Sequence, residues 1–276
     1  MPELIVNQVG DVTVKTVGKI VNMIDWWSLT PYDKCSFRCV YCSVEAQGKS
    51  RPVIEPESIA PMLDEFVKHR GNLMLALGIS SDAYPPEEAE HCLTRQMLPE
   101  IAKRNIPFTI TTHGDLIVRD IDLLKECKTL HTIGVSIPNH NEELVRRFEP
   151  GAPSCAARID AVQKLYDAGL PVHVNIAPWL PGMTDPDFIG RQLPADIVVN
   201  VTALSYNHTM RDFKKFLSDR ELSSAERVFR KDFPTQESIN QPFLEDYRRI
   251  RGGTKGNLVW LTPPGQNKSI IDRLPP

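Results

Sequence analysis

The sequence predicts an α/β protein with a parallel sheet curled into a partial (β/α)6 barrel, followed by a short, mainly helical C-terminal tail. Apolar runs of strand length alternate with helical patterns, and the alternation repeats through six units. The rhythm holds over residues 1–206 and is lost over 207–276, so the first stretch reads as the core and the second as a tail packed on it. Hydrophobic residues make up 41% of the 276, enough for one large core with an appendage.

The elements follow in order. Met23 to Thr30 reads as the first strand and Pro56 to His69 as a helix. Leu73 to Gly78 is a buried strand bounded by Gly71 and Gly78. A helix at Thr94 to Arg104 precedes a strand at Phe108 to Thr112, and a helix at Asp120 to Cys127 precedes a strand at His131 to Ile137. Cys155 to Ala168, stopped by Gly169, leads to the strand Val172 to Ala177. A short helix at Asp185 to Arg191 leads to the last strand, Asp196 to Ala203. The tail reads as helices at Asp212 to Leu217, Ser223 to Arg230 and Gln241 to Arg251, then a strand at Leu258 to Thr262. In such barrels the reactive centre lies at the carboxyl ends of the strands.

The formal charge of -3 gives no global attraction to nucleic acid or to an anionic membrane. Arg248, Arg249, Arg251 and Lys255 form the one basic cluster of the tail, which reads first as a solvated helix end. The sequence shows no charged-then-apolar N-terminal signal and no run of about eighteen apolar residues, so a cytoplasmic, membrane-free protein is expected.

Cys35, Cys39 and Cys42 lie within Lys34-Cys35-Ser36-Phe37-Arg38-Cys39-Val40-Tyr41-Cys42. Three thiolates this close can wrap one loop around three irons of a 4Fe-4S cluster and leave the fourth iron without a protein ligand. Zinc usually takes four ligands, and the chain has no second Cys or His pair at zinc spacing. A disulfide, or cysteines that meet by chance in a turn, are the competing readings.

This spacing, with an aromatic just before the last cysteine, resembles the radical SAM superfamily. Leu29-Thr30-Pro31-Tyr32, Ser80-Ser81-Asp82-Ala83-Tyr84-Pro85-Pro86-Glu87, Phe148-Glu149-Pro150-Gly151-Ala152-Pro153 and Ala177-Pro178-Trp179-Leu180-Pro181-Gly182-Met183-Thr184-Asp185 are similar to its spore photoproduct lyase-related branch. The resemblance implies a barrel of the radical SAM type, one 4Fe-4S cluster, and S-adenosylmethionine chelating the open iron through its amino and carboxylate groups. It also implies an external one-electron donor such as flavodoxin or ferredoxin.

The resemblance further implies roles for individual residues. Tyr41 would lean on the adenine, with a packing aromatic as the alternative. Ser80, Ser81 and Asp82 would receive the cofactor's ammonium, with a serine-aspartate turn or helix cap as the alternative. Arg158 would bind the cofactor carboxylate and Glu149 the ribose hydroxyls, against a structural ion pair across the turn. Thr111 and Ser136 carry hydroxyls suited to ribose or substrate, and Asn175 could reach adenine or ribose.

His113 ends a strand on the reactive side and is either a proton donor or acceptor or a structural histidine. Cys92 could face the chamber and quench a product radical, whereas Cys127 and Cys155 read as buried inert thiols. Trp26, Trp27, Tyr84, Trp179, Asn200, Tyr206 and His208 are the substrate-chamber candidates.

The lyase that names the branch places its hydrogen-donating cysteine about where this chain has Ile79 and Ser80, and a second tyrosine where this chain has Ser43. DNA photoproduct repair is therefore not expected. The sequence points instead to hydrogen abstraction from a small-molecule substrate such as a sugar, nucleotide or natural-product intermediate. Nucleic-acid chemistry on the same core and a cluster-bearing electron carrier or sensor are the alternatives.

Overall fold

A computed structural model describes residues 4–9, 12–17, 20–22, 26–42, 50–179, 183–203 and 259–262. Among the described residues, ten strands enter the sheet in chain order. The described residues divide into two compact units, the first formed by Met1–Phe37, Ala46–Gly134 and Lys164–Pro171, the second by Arg38–Glu45, Val135–Gln163 and Val172–Pro276.

The first unit opens with an antiparallel meander, β1 (Leu4–Val9), β2 (Val12–Val17) and β3 (Ile20–Asn22), whose last strand pairs antiparallel with β4 (Trp26–Leu29). From β4 the pairing turns parallel, through β5 (Met74–Leu77) to β6 (Phe108–Thr112). The meander was not among the expected elements. Its sequence signal is two short runs, the apolar-led Leu4 to Val9 and the alternating Val12 to Lys15, joined by the two-residue link Gly10-Asp11, with Gly18-Lys19 before the third strand, a pattern that favours hairpins.

Strand β5 reads as an apolar run, as a strand covered on both faces does. Leu75, Ala76 and Leu77 of β5 are all buried, as are Phe108, Ile110 and Thr112 of β6. Helix α1 (Ile59–His69) follows a 3-10 turn at Pro56–Ser58 and buries Ile59, Met62, Leu63 and Phe66. That i, i+3, i+4, i+7 spacing forms one apolar stripe, and Phe66 meets Trp27 edge to face at 5.5 Å between ring centroids. A short helix, α2 (Glu88–His91), precedes α3 (Leu93–Lys103), which buries Leu93, Met97, Leu98 and Ile101. Helix α4 (Ile121–Glu126) follows in the same unit and is led in by a 3-10 stretch, Asp115–Asp120.

Strand β7 (Leu130–Ser136) runs from the first unit into the second. The second unit continues with α5 (Glu142–Phe148), α6 (Cys155–Asp167), whose residues from Lys164 on count with the first unit, β8 (Val172–Trp179), α7 (Pro186–Gly190) and β9 (Val198–Ala203). Helix α5 was also not expected. Asn141 caps it, accepting from the Glu143 and Leu144 amides, with Glu142 and Glu143 in the first turn and Arg146 and Arg147 in the last. These start and stop signals were present in the sequence. Strands β8 and β9 pair in parallel, with Asn175 opposite Asn200 and a bulge between Ile176 and Trp179. Strand β10 (Val259–Thr262) pairs in parallel with β9, as a strand at Leu258 to Thr262 predicts. The expected tail helices, the boundary at 206/207 and the Arg248, Arg249, Arg251 and Lys255 cluster lie outside the described residues. Among the described residues no helix is long and apolar enough to cross a membrane.

Gly78 ends β5 at φ +90, and a Cβ there would stand 1.9 Å from the Thr111 carbonyl oxygen. Gly71 has φ +58 with nothing within 4 Å of its Cβ position. Gly71→Ala should therefore cost only the left-handed strain, ~1–2 kcal/mol. Gly78→Ala adds a backbone collision and should cost well over ~2 kcal/mol, as the two urea-unfolding midpoints would show.

Candidate active site

The cysteine loop leaves the end of β4, and its first limb belongs to the first unit. Segment 50–53 runs beside it. The Asp33 amide donates to the Arg51 carbonyl and the Val53 amide to the Pro31 carbonyl, both at 3.0 Å. The Ser50 and Ser81 hydroxyls donate to the Lys34 carbonyl at 2.6 and 2.8 Å. Ser81, expected at the cofactor ammonium, thus acts as a loop staple one residue before Cys35. Ser50 was not singled out in the sequence, where nothing distinguishes it from an ordinary loop serine.

Asp82 is buried and ties two strand ends together. It accepts from the Tyr84 amide at 2.9 Å, the Thr112 hydroxyl, and the His113 amide at 2.7 Å, and His113 Nδ1 lies 3.4 Å from its Oδ2. The bond from the Tyr84 amide, two residues on, is the aspartate turn that the sequence offered as one of its two readings. The His113 ring is held between Asp82 and Phe37, with ring centroids of Phe37 and His113 6.1 Å apart. Phe37 lies between Cys35 and Cys39 in the sequence, so His113 sits against the cysteine loop.

The second limb belongs to the second unit. The Val40 amide donates to the Phe148 carbonyl at 2.8 Å and the Cys42 amide to the Cys39 carbonyl at 3.1 Å, a tight turn that follows Arg38 at φ +52. The Tyr41 hydroxyl donates to the Glu149 carboxylate. Arg158, fully buried, donates from Nη2 to Glu149 at 2.6 Å and from Nη1 to the Ser136 carbonyl at 2.9 Å. Burial pushes the Tyr41 phenol well above its usual range, and the Glu149 charge pushes it further. Burial works against the Arg158 charge, but Glu149 outweighs it and holds the guanidinium above its ordinary value. Of the two roles open to Glu149 and Arg158, the structure displays the ion pair across the turn. In the same unit the Asn200 amide donates to Asn175 Oδ1 at 3.2 Å, so two of the expected polar residues meet on neighbouring strands.

The remaining candidates are dispersed. Tyr84 is buried, and burial, then Asp120 and Glu88, drive its phenol far up, so it is a core residue of the first unit. Cys92 sits at φ +51 between α2 and α3, with Arg119 Nη1 3.6 Å from its sulfur. Trp27 is core, Trp179 is buried and Trp26 is exposed at the start of β4. Ser80 is exposed and Thr111 half-buried. Tyr206 and His208 lie outside the described residues.

Sequence reasoning missed Glu88 and Asp120, both buried. Glu88 accepts from Arg119 at 2.8 Å, and Asp120 from Arg119 and Arg95 at 2.7 and 2.6 Å. No periodic signal marks a buried carboxylate on a short helix. It missed Asn139 as well, whose Nδ2 is buried without a hydrogen-bond partner among the described residues.

The donor set fits an iron-sulfur cluster: Cys35, Cys39 and Cys42 are soft cysteine sulfurs, outside any disulfide, on one short loop. The second unit also offers buried donors to a polar ligand, since Arg158 Nε, like Asn139 Nδ2, has no hydrogen-bond partner among the described residues.

Comparison with known proteins gives a consistent result. The family model of the radical SAM superfamily matches residues 29–190. An uncharacterized protein of Methanocaldococcus jannaschii is 30% identical over 212 residues, covering 74% of this chain and 79% of that one. An uncharacterized protein of Acidianus two-tailed virus is 26% identical over 228 residues, covering 75% and 71%. Spore photoproduct lyase with bound S-adenosylmethionine and a dinucleoside spore photoproduct superposes with TM-score 0.60 at 16% identity, covering 86% of this chain and 76% of that one. SuiB of Streptococcus suis bound to its precursor peptide gives TM-score 0.55 at 13% identity, covering 85% and 48%. The fold is thus the expected radical SAM partial barrel. These neighbours, one bound to a dinucleoside and one to a peptide, lend no support to the expectation that nucleic acid is not a partner.

Arg158→Met strands the Glu149 carboxylate in the core and should cost about 3–5 kcal/mol of apoprotein stability in urea unfolding. The double variant with Glu149→Gln should recover a large part of that loss. Burial pushes the Cys127 and Cys155 thiols up to about 11, leaving roughly a thousandth as thiolate at pH 8. Brief alkylation of the native apoprotein should therefore spare both, as peptide mass mapping would read out.

Proposed function

The chain belongs to the radical SAM superfamily, and we propose that this enzyme removes a hydrogen atom from a small polar substrate such as a sugar, a nucleotide or a natural-product intermediate. The observation that carries this reading is the imidazole of His113, fixed by Asp82 at the end of β6 and packed on the cysteine loop. A histidine so placed can hold a substrate hydroxyl or return a proton to it.

Cys35, Cys39 and Cys42 would hold three irons of one 4Fe-4S cluster, leaving the fourth for S-adenosylmethionine. When bound and reduced by one electron, that pair supplies a 5′-deoxyadenosyl radical able to break an unactivated C–H bond. The electron would come from an external donor such as flavodoxin or ferredoxin, and a reducing cytoplasm would suit the thiolates.

The chain's own residues do the rest. Tyr41 is held in place by Glu149, so the loop carrying Cys39 and Cys42 cannot swing freely. Arg158 fixes that carboxylate and the end of β7, leaving Nε, with Asn139 Nδ2, as buried donors toward the polar end of a bound ligand. Asn175 and Asn200 present amides to hydroxyls on a ribose or a substrate. Phe37 is buried within the first limb of the loop, and Phe148, also buried, accepts from Val40 of the second through its carbonyl.

A second reading, chemistry on nucleic acid, is supported by the likeness to a lyase solved with a dinucleoside. It is weakened by Ile79, Ser80 and Ser43 at the positions where that lyase carries its cysteine and second tyrosine.

Anaerobically reconstituted protein should hold about four irons and four sulfides, lost on Cys35→Ala, Cys39→Ala or Cys42→Ala. With dithionite it should form 5′-deoxyadenosine, and His113→Gln should keep that slow background. Added sugars, nucleosides and nucleotides should stimulate the wild type, with His113→Gln losing at least about tenfold of the stimulation. Stimulation by DNA or RNA that fades steeply with salt would favour the second reading instead.

A further inference from the structure

The first unit holds a device that the chemistry above does not use. Glu88 is fully buried, and its carboxylate takes four donors: the Tyr32 hydroxyl, the Thr94 amide at 2.9 Å, the Arg95 amide at 3.1 Å and Arg119 Nη2 at 2.8 Å. Two of these are first-turn amides of α3, which Cys92, the residue before the helix, does not cap with its own side chain. The carboxylate thus stands at the positive end of α3. Arg119 also donates from Nη1 to the Glu88 carbonyl at 2.9 Å and is itself fixed by Asp120 at 2.7 Å.

Tyr32 is the donor of different origin. It lies three residues before Cys35, is fully buried, and its phenol is driven far up by burial and then by the Glu88 hydrogen bond, so it remains a donor. The neighbouring Glu87 repeats the pattern on the other side of Cys35, where the Ser36 hydroxyl donates to its Oε2 at 2.6 Å. Two consecutive carboxylates on one short segment therefore grip Tyr32 and Ser36, one on either side of the first cysteine. That segment is anchored through Arg119 and α3, not through the loop itself.

We propose that Glu87 and Glu88 are positioning residues that clamp the Cys35 limb and hold its sulfur in the geometry that retains the cluster. The proposal rests on the cluster reading above. A thiolate whose backbone is pinned on both sides is slow to swing off its iron, so the clamp acts on how long the cluster is kept.

The test uses the full chain, reconstituted anaerobically, with iron transfer to an excess of chelator followed by absorbance. Tyr32→Phe removes only the phenol's bond and leaves Glu88 its other three donors; Ser36→Ala removes only the bond to Glu87. Each should release iron on the order of tenfold faster than wild type, the size expected for one hydrogen bond to a charged group, while the apoprotein melts close to the wild-type temperature. Glu87→Gln, which keeps an acceptor for Ser36, should release iron nearly as slowly as wild type. Arg104→Ala serves as the control for general destabilisation, since Arg104 ties α3 to Asp64 away from the loop. It should lower the apoprotein's melting temperature and leave iron release unchanged.

Wild-type release rates in both Tyr32→Phe and Ser36→Ala would overturn the clamp. So would acceleration that merely tracks apoprotein stability, with Arg104→Ala falling on the same line. A wild-type chain that holds no cluster at all would overturn the cluster reading and the clamp together, whereas a loaded wild type with indifferent variants overturns the clamp alone.

Discussion

A carboxylate taken out of water must be met by donors, and four buried ones govern the loops at the strand ends. Asp82, Glu88, Asp120 and Glu149 are each almost without solvent, and an unpaired charge in such places would cost several kcal/mol. The donors come from far along the chain. Asp82 draws on Thr112 and His113, Glu88 on Tyr32 and Arg119, and Glu149 on Tyr41 and Arg158. Satisfying each charge therefore fixes the course of a second loop, so the chemistry-bearing segments are placed by electrostatic necessity as much as by apolar packing.

Much of the parallel sheet was legible in the sequence. A strand buried on both faces has to be an apolar run, as Leu75 to Leu77 of β5 are, and the alternating Phe108 to Thr112 matches β6 residue for residue. Helix ends were legible where glycine stops them: Gly169, at φ +76, follows α6 closely. The elements that escaped are those whose signals are local and polar. The meander β1–β3 consists of strands of three to six residues that rest on two-residue links, and α5 is announced by Asn141 and its acidic first turn, not by an apolar stripe.

The site was legible to the extent that chemistry alone identifies it. Three cysteines at this spacing are soft ligands wherever the chain puts them. Ser81, Asp82, Glu149 and Arg158 are different, because residue type states what each can donate or accept but not which neighbour gets there first. In the fold the Lys34 carbonyl takes Ser81, Tyr84, Thr112 and His113 take Asp82, and Glu149 and Arg158 largely take each other. Glu88 was invisible for the same reason: an acidic residue on a short helix looks solvated until Tyr32 and Arg119 are seen to close over it.

The antiparallel meander changes the standing of β4. In a sheet that began with its first parallel strand, that strand would be an edge, with one row of amides and carbonyls open to fraying or to pairing with another molecule. Here β3 covers it on one side and β5 on the other, so the strand that launches the cysteine loop is interior to the sheet and the vulnerable rim is displaced to β1. The meander thus insulates the take-off point of the loop, and accidents at the sheet's margin, whether peeling or strand exchange between molecules, would be borne by a segment that carries no chemistry.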